Sequence, residues 1–301
     1  MFLRIDCLFC QQTLLEAILS KKIISLIRNW NFQRRMHRKS RQIEQMHKRT
    51  KKFMLGVLAI FKNESLNIEE WVTHYLQQGA GHIFLIDNGS TDTWRPKIER
   101  LIASGQVSVI SLPEAHQQAK HYWTAYRHFK IQALCDWLLI ADLDEFWFCK
   151  NGASISDALG AYFYFDVIYA NWTIFGSSGH YEHPKSLRKD LVFRQQNLGG
   201  HHCRKWIART SVLEKPWNIG IHFITGACSS RTVSDNTTFQ INHYMTQSVE
   251  YFQSVKMSRG DVNSAKHDTT RTMAYFDEYD SPCTFEDRLL ADLVSKKACL
   301  D

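Results

Sequence analysis

An α/β fold with a mostly parallel sheet is what this sequence predicts, and three observations point to it. Short apolar runs alternate with helical patterns between residues 54 and 141. The first and last of these runs are apolar throughout, as a strand buried on both faces is. Every run also ends in polar, turn-forming residues, where open α/β sheets place their ligands.

Residues 54–61 read as the first buried strand, ending in Lys62-Asn63-Glu64. A helix follows: Asn67 and Glu70 have capping-box spacing, Ile68, Val72, Tyr75 and Leu76 form one apolar face, and Gly79 stops it. Residues 82–86 form a second strand, ending in Asp87-Asn88-Gly89-Ser90-Thr91-Asp92, a segment rich in turn residues and side-chain oxygens. A helix over 96–104 closed by Gly105, a strand over 107–112 and one long helix across 117–135 follow. Residues 137–148 then read Trp-Leu-Leu-Ile-Ala-Asp-Leu-Asp-Glu-Phe-Trp-Phe. On a strand, alternation puts Asp142 and Asp144 on one face at its exit, where both can approach one divalent cation. Hard carboxylate oxygens suit Mg²⁺ or Mn²⁺ bridging a diphosphate. The bland alternative is a pair of solvated strand-end acids. Right-handed crossovers bring all these strand ends onto one rim.

Several motifs in order carry a family resemblance: Phe61-Lys62-Asn63-Glu64, Ile68-Glu69-Glu70-Trp71, the Asp87 to Asp92 segment, and Asp142-Leu143-Asp144-Glu145-Phe146. Downstream come Trp172-Thr173-Ile174-Phe175-Gly176-Ser177-Ser178-Gly179-His180, Lys205-Trp206-Ile207, His222, and Asn242-His243-Tyr244 with Ser248 and Lys256. Over residues 54–260 the chain resembles family 2 type glycosyltransferases, particularly the branch allied to family 92. The resemblance implies a GT-A type fold: a nucleotide-sugar-binding half, residues 53–150, and a less regular acceptor-binding half with the C-terminal tail, residues 151–301. It implies that Lys62, Glu64 and Asp87, beside Asn88, line the nucleoside pocket. Asp142 and Asp144 then hold the metal and the donor diphosphate, and His243 is a further metal ligand. A neutral imidazole can complete a Mn²⁺ or Mg²⁺ sphere, and the metal neutralises the departing diphosphate. Structural readings stand beside these roles: a tight turn for Asn88 and Gly89, a helix-cap partner for Glu64, a satisfied buried histidine for His243. Lys205 and Lys256 read either as phosphate contacts or as solvated lysines.

Inversion at an anomeric carbon needs a carboxylate beside the acceptor hydroxyl. Relatives of this type often carry it in a Glu-Asp pair after the aspartate motif. Here the later pair is Glu286-Asp287, in a polar tail past the family motifs, so the base is unassigned; Glu182 and Asp235 are the candidates to test. The implied activity is transfer of a sugar, with inversion, from a nucleotide-diphosphate donor to a glycan or lipid-linked acceptor in surface polysaccharide biosynthesis. The alternatives are a noncatalytic sugar-nucleotide or glycan-binding protein of the same fold, and a nucleotidyltransferase.

Composition fits such an enzyme. The 301 residues are 44% hydrophobic and 13% aromatic, ample for one large two-lobed domain. The net charge of +7 is asymmetric: residues 1–52 hold 13 Lys and Arg against 3 Asp and Glu, leaving the rest acidic. Basicity is therefore a property of an N-terminal extension, and no nucleic-acid partner is expected. Leu14, Leu15, Ile18, Leu19, Ile23, Ile24, Ile27 and Trp30 lie among Lys21, Lys22 and Arg28 in a helical pattern. A basic amphipathic helix of this kind suits peripheral contact with an anionic membrane, so the expected location is cytoplasmic, at the inner face of the cytoplasmic membrane. A solvated helix packed on the domain, or an upstream start codon before a pattern that opens near Met54, are the other readings. Its charges follow its apolar part, unlike a cleaved signal.

The eight cysteines form no framework: Cys7 and Cys10 lack a second pair and the others are scattered, which fits reduced thiols. His201-His202-Cys203 and His180 with His183 supply no four-ligand zinc set. Past residue 150 a loop and short helix over 151–160, a strand over 162–168 and a loop over 174–179 beside the metal are expected. Trp172, Tyr181, Trp206 and Trp217 read as sugar-stacking platforms or as core, and residues past 260 as a terminal helix or lid.

Overall fold

The computed structural model describes residues 51–260, 265 and 269–298. The basic N-terminal helix and Cys7 and Cys10 lie outside the described residues.

Four parallel strands open the described part of the chain: β1 (Phe53–Phe61), β2 (His82–Asp87), β3 (Val107–Ser111) and β4 (Cys135–Ile140). They stand in the order β4-β1-β2-β3, with Phe61 paired to Asp87 and Leu58 to Ile140, so their carboxyl ends share one rim. The connecting helices are α1 (Ile68–Gln77), α2 (Arg95–Ala103) and α3 (Gln118–His128). Alternation along β1 feeds two cores: Leu55, Val57, Ala59 and Phe61 face one, Leu58 and Ile60 the other. That is why the run is apolar at every position but Gly56. A Cβ on Gly56 would sit 2.6 Å from Cys135 Sγ on the neighbouring strand, so only glycine fits there.

The second half continues the same sheet with mixed directions. β5 (Glu145–Cys149), β6 (Val167–Phe175), β7 (Phe193–Arg194), β8 (Arg204–Arg209), β9 (Thr232–Ser234), β10 (Phe239–Tyr244) and β11 (Phe285–Glu286) follow. β8 runs antiparallel between β4 and β6, and β10 lies between β5 and β6. Helices α4 (Met273–Asp280) and α5 (Leu289–Ala298) complete the described fold. The expected α/β sheet flanked by helices is thus what the chain adopts, parallel in its first four strands.

Local expectations fail in four places. Asn67 makes no capping bond; its amide donates to Glu64 and Gln247, while Glu70 pairs with Arg188. The helix still forms, because Ile68, Trp71, Val72 and Tyr75 are buried and Gly79, at φ +82°, takes the left-handed turn that ends it. The long helix over 117–135 breaks at Lys130, whose φ is +53°. The strand expected over 162–168 begins at Val167, because residues 159–162 coil into a 3₁₀ turn that packs Tyr162 against Phe239. Finally, β4 stops at Ile140, so Asp142 and Asp144 lie in a turn before β5 rather than on a strand.

Candidate active site

A cavity of about 530 Å³ opens on the rim of parallel strand ends. Lys62 and Glu64 line it from the loop after β1, Asn88 from the loop after β2, Asp142 and Asp144 from the turn after β4, and His243 from β10.

The aspartate turn is rigidly held. Glu145 N donates to Asp142 O at 3.0 Å, and Asp142 N donates back to Glu145 Oε2 at 3.0 Å. From α1, Trp71 Nε1 donates to the carbonyls of Asp142 (2.8 Å) and Glu145 (3.1 Å), and Tyr75 OH to that of Glu145 (3.0 Å). Antiparallel pairing of β10 with β5 sets His243 opposite Glu145, next to Asp144. His243 Nε2 is 3.6 Å from Asp144 Oδ1, and its buried Nδ1 has no hydrogen-bond partner among the described residues.

Two buried lysines neutralise the aspartates. Lys205 on β8 donates to Asp142 Oδ2 at 2.8 Å and stands 3.7 Å from Glu145 Oε1. Lys256 donates to Asp144 Oδ2 at 2.6 Å and to the Met245 carbonyl. Burial alone pushes the Asp144 carboxyl up, but Lys256, His243 and Arg259 outweigh it and hold the group well below the usual carboxylate range. Burial, reinforced by Asp142 and Asp144, pushes Glu145 well up against the pull of Lys205. Lys205 goes the other way from its desolvation: Asp142 and Glu145 raise it above an ordinary lysine.

Asp144 and His243 stand close enough to share one divalent ion after a small side-chain adjustment. Asp142 is more committed, with Oδ2 on Lys205 and Oδ1 3.4 Å from both Gln118 Nε2 and Tyr122 OH. Among the described residues no three His, Cys, Asp or Glu side chains form a ready-made cage. Mg²⁺-type sites normally use one or two carboxylates and take the remaining ligands from substrate phosphate and water, which this pair fits.

The nucleoside-side residues divide. Glu64 is buried and accepts from Asn67 Nδ2 (2.8 Å), Tyr251 OH (2.6 Å) and Arg259, so it anchors the cavity wall. Asn88 lines the cavity while its amide donates to the carbonyls of Leu112 (2.6 Å) and Glu114 (3.0 Å). Asp87 Oδ1 accepts from Ser90 N at 2.8 Å, and Oδ2 makes no hydrogen bond among the described residues. Asp87 itself is not part of the cavity lining.

Other expectations are redistributed. Trp172 lines the cavity beside His243, its ring centre 4.4 Å away. Trp206 is core and donates to the Gly220 carbonyl, while Tyr181 and Trp217 are exposed and away from the lining. The 176–179 loop also lies off the cavity, its Ser177 bound to Asp280. Glu182 is exposed, and Asp235 accepts from Tyr162 and Thr237; neither reaches the cavity. Asp287 pairs with Arg194 at 2.7 Å. Polar cavity residues that the sequence does not announce are His116, Gln118, Ser258, Arg259, Arg271 and Tyr275. Nothing local marks them; the one signal was the basic spacing of Lys256 and Arg259 at the edge of the family pattern.

Comparisons with known proteins bear on the family of the chain. The model of glycosyltransferase family 92 matches residues 51–281. A glycosyltransferase family 92 protein of Ricinus communis is 29% identical over 104 residues, which is 34% of this chain and only 18% of that relative. Among solved structures, S. aureus TarS 1-349 is 14% identical with a TM-score of 0.38, over 83% of this chain and 73% of that one. Glucosyl-3-phosphoglycerate synthase from Mycobacterium tuberculosis, in complex with Mn²⁺, uridine-diphosphate-glucose and phosphoglyceric acid, is 15% identical with a TM-score of 0.31, over 54% and 58%. At TM-scores below 0.5 these two likenesses are loose. The family match spans most of the sequence, both halves of the sheet and every residue of the aspartate turn: the chain belongs to glycosyltransferase family 92.

Proposed function

We propose that the chain is a metal-dependent glycosyltransferase of GT-A type that moves a sugar, with inversion, from a nucleotide-diphosphate donor to a glycan or lipid-linked acceptor. The observation that carries this reading is the meeting of Asp142, Asp144 and His243 with Lys62, Glu64 and Asn88 around one cavity at the ends of parallel strands. Lys62, Glu64, Asp87, Asn88 and Asp142 are assigned to the donor, with the open Asp87 Oδ2 free to accept from a base N–H. Asp144 and His243, with Asp142 adjoining, would hold Mn²⁺ or Mg²⁺, which supplies Lewis-acid neutralisation of the leaving diphosphate. Around them the chain's own cations do the positioning: Lys62, Lys256, Arg259 and Arg271 line the same space and favour a diphosphate there. Trp71 and Tyr75 hold the aspartate turn still. Surface polysaccharide biosynthesis, with peripheral membrane contact through residues 1–52, is the proposed setting; no described helix is long and apolar enough to cross a membrane.

The test is a thermal-shift panel of UDP, GDP, CDP and TDP with and without Mn²⁺, on the wild type and Asp144→Ala, followed by donor turnover. Binding to the folded state raises the melting temperature by mass action. A Mn²⁺-dependent shift with one nucleotide, lost in Asp144→Ala, with nucleoside diphosphate released from the matching donor, is expected. Binding without turnover would make the protein a noncatalytic binder, and pyrophosphate release from a nucleoside triphosphate would make it a nucleotidyltransferase.

A further inference from the structure

The two lysines that cap the aspartates differ in one respect. Lys205 is fully buried, shared between Asp142 and Glu145, and absent from the cavity lining, so it belongs to the permanent framework. Lys256 lines the cavity. It closes the π-helical turn Phe252–Lys256, a backbone form often found at functional sites, and is followed at once by Ser258, Arg259 and Gly260 on the cavity wall. Its ammonium sits on Asp144 Oδ2 while the other oxygen, Oδ1, faces His243. A divalent ion on Oδ1 and the imidazole would therefore stand a few ångströms from a fixed positive charge, with Arg259 adding to the repulsion.

We propose that Lys256 is a displaceable internal cation: it neutralises Asp144 in the ligand-free protein, competes there with the divalent ion, and passes to the donor diphosphate when both bind. The inference rests on the metal reading above. It makes metal and diphosphate binding mutually reinforcing, because each relieves a charge the other leaves exposed, and such coupling is reciprocal. In this exchange only the partner of Lys256 changes. Lys205 does not exchange, since the cavity does not reach it.

The experiment is a titration with Mn²⁺ alone, free ion read by electron paramagnetic resonance, on the wild type, Lys256→Met, Asp144→Asn and the double variant. The Lys256→Met protein is expected to bind Mn²⁺ roughly tenfold tighter than the wild type, toward the lower end of usual couplings, and the gain to vanish in the double variant. Inorganic pyrophosphate, standing in for the donor diphosphate, is expected to tighten Mn²⁺ binding to the wild type more than to Lys256→Met. Equal Mn²⁺ affinity in wild type and Lys256→Met, with Asp144 still required, would overturn the exchange and leave the metal reading intact. No Mn²⁺ binding to any variant, with or without pyrophosphate, would sink the metal reading and the exchange together. If circular dichroism shows Lys256→Met unfolded, Lys256→Gln, which keeps an N–H for Asp144, takes its place. The pyrophosphate arm on the wild type stands alone: no tightening there also overturns the exchange.

Discussion

Two acid-bearing segments approach the cavity, and their oxygens have different partners. In the loops after β1 and β2, apart from Glu64 with its Arg259 partner, side-chain acceptors are taken by backbone N–H groups: Ser90 Oγ by Asn63 N (3.0 Å), Asn63 Oδ1 by Thr91 N (2.8 Å), Asp92 Oδ2 by Ser65 N (2.7 Å). In the turn after β4 they are taken by ammonium groups, Lys205 on Asp142 and Lys256 on Asp144. The first pattern stitches two loops into a wall. The second neutralises carboxylate charge with buried cations, the arrangement on which the proposed metal exchange rests. Composition alone does not separate these segments; the identity of the donor does.

The largest effect expected from that contrast is on chemistry. Asp144→Asn should lower donor turnover on the order of a thousandfold, as losing a pre-organised electrostatic partner does, and abolish the Mn²⁺-dependent nucleotide shift. Activity within tenfold of wild type would remove the aspartate turn from the mechanism and break the contrast. On stability, Lys205→Met leaves Asp142 and Glu145 without their buried cation, and should cost about 3–5 kcal/mol, measured by urea unfolding. A loss below about 1 kcal/mol would mean that water or protonation already satisfies that pair.

A smaller and different response is expected in the stitched loops. Asp92→Ala removes the acceptor for Ser65 N and should cost about 1 kcal/mol, the typical net value of one hydrogen bond. Nucleotide affinity should stay within about twofold, since Asp92 does not line the cavity. A tenfold loss of affinity in the thermal-shift panel would show that these oxygens serve the ligand as well as the wall.

The same contrast explains what the sequence discloses. Strands β1 and β4 are legible because both faces are buried and nearly every step is apolar, β2 and β3 because short Ile- and Val-bearing runs stand between turn signals, and the aspartate turn because the apolar residues stop there. The break at Lys130 is not, since a lysine at φ +53° carries none of the Gly or Pro signals of a helix end. The partner that completes Asp144 lies 112 residues away, and a lysine in a basic chain looks solvated until the fold brings it in. Arg259 is hidden for the same reason: its ion pair with Glu64 joins the loop after β1 to the end of a π-helical turn that no periodicity announces. Local physics names the elements. Long-range charge pairing selects which polar residues become the site.

The smallest expected effect concerns two histidines, His222 on the cavity lining and His183 beside Asn67. Burial lowers both: His222, on the cation side, is pushed further by Lys205, with the Arg204 carbonyl and Asp142 opposing. His183, its Nε2 3.1 Å from Asn67 Oδ1, is lowered by burial but pulled back by Glu64, Glu250 and Glu70. A folded-state value below the unfolded one means that the unfolded chain takes up the proton first. Their stabilising contribution is therefore complete above about pH 6.5 and declines as pH falls through that value. The melting temperature should drop between pH 7.5 and 5.5, and His222→Gln should flatten that slope more than His183→Gln, because the cation beside His222 adds to its desolvation while carboxylates offset it at His183. A steeper dependence on His183 would mean that the carboxylates of the stitched wall do not reach its ring, and that the two segments are electrostatically alike.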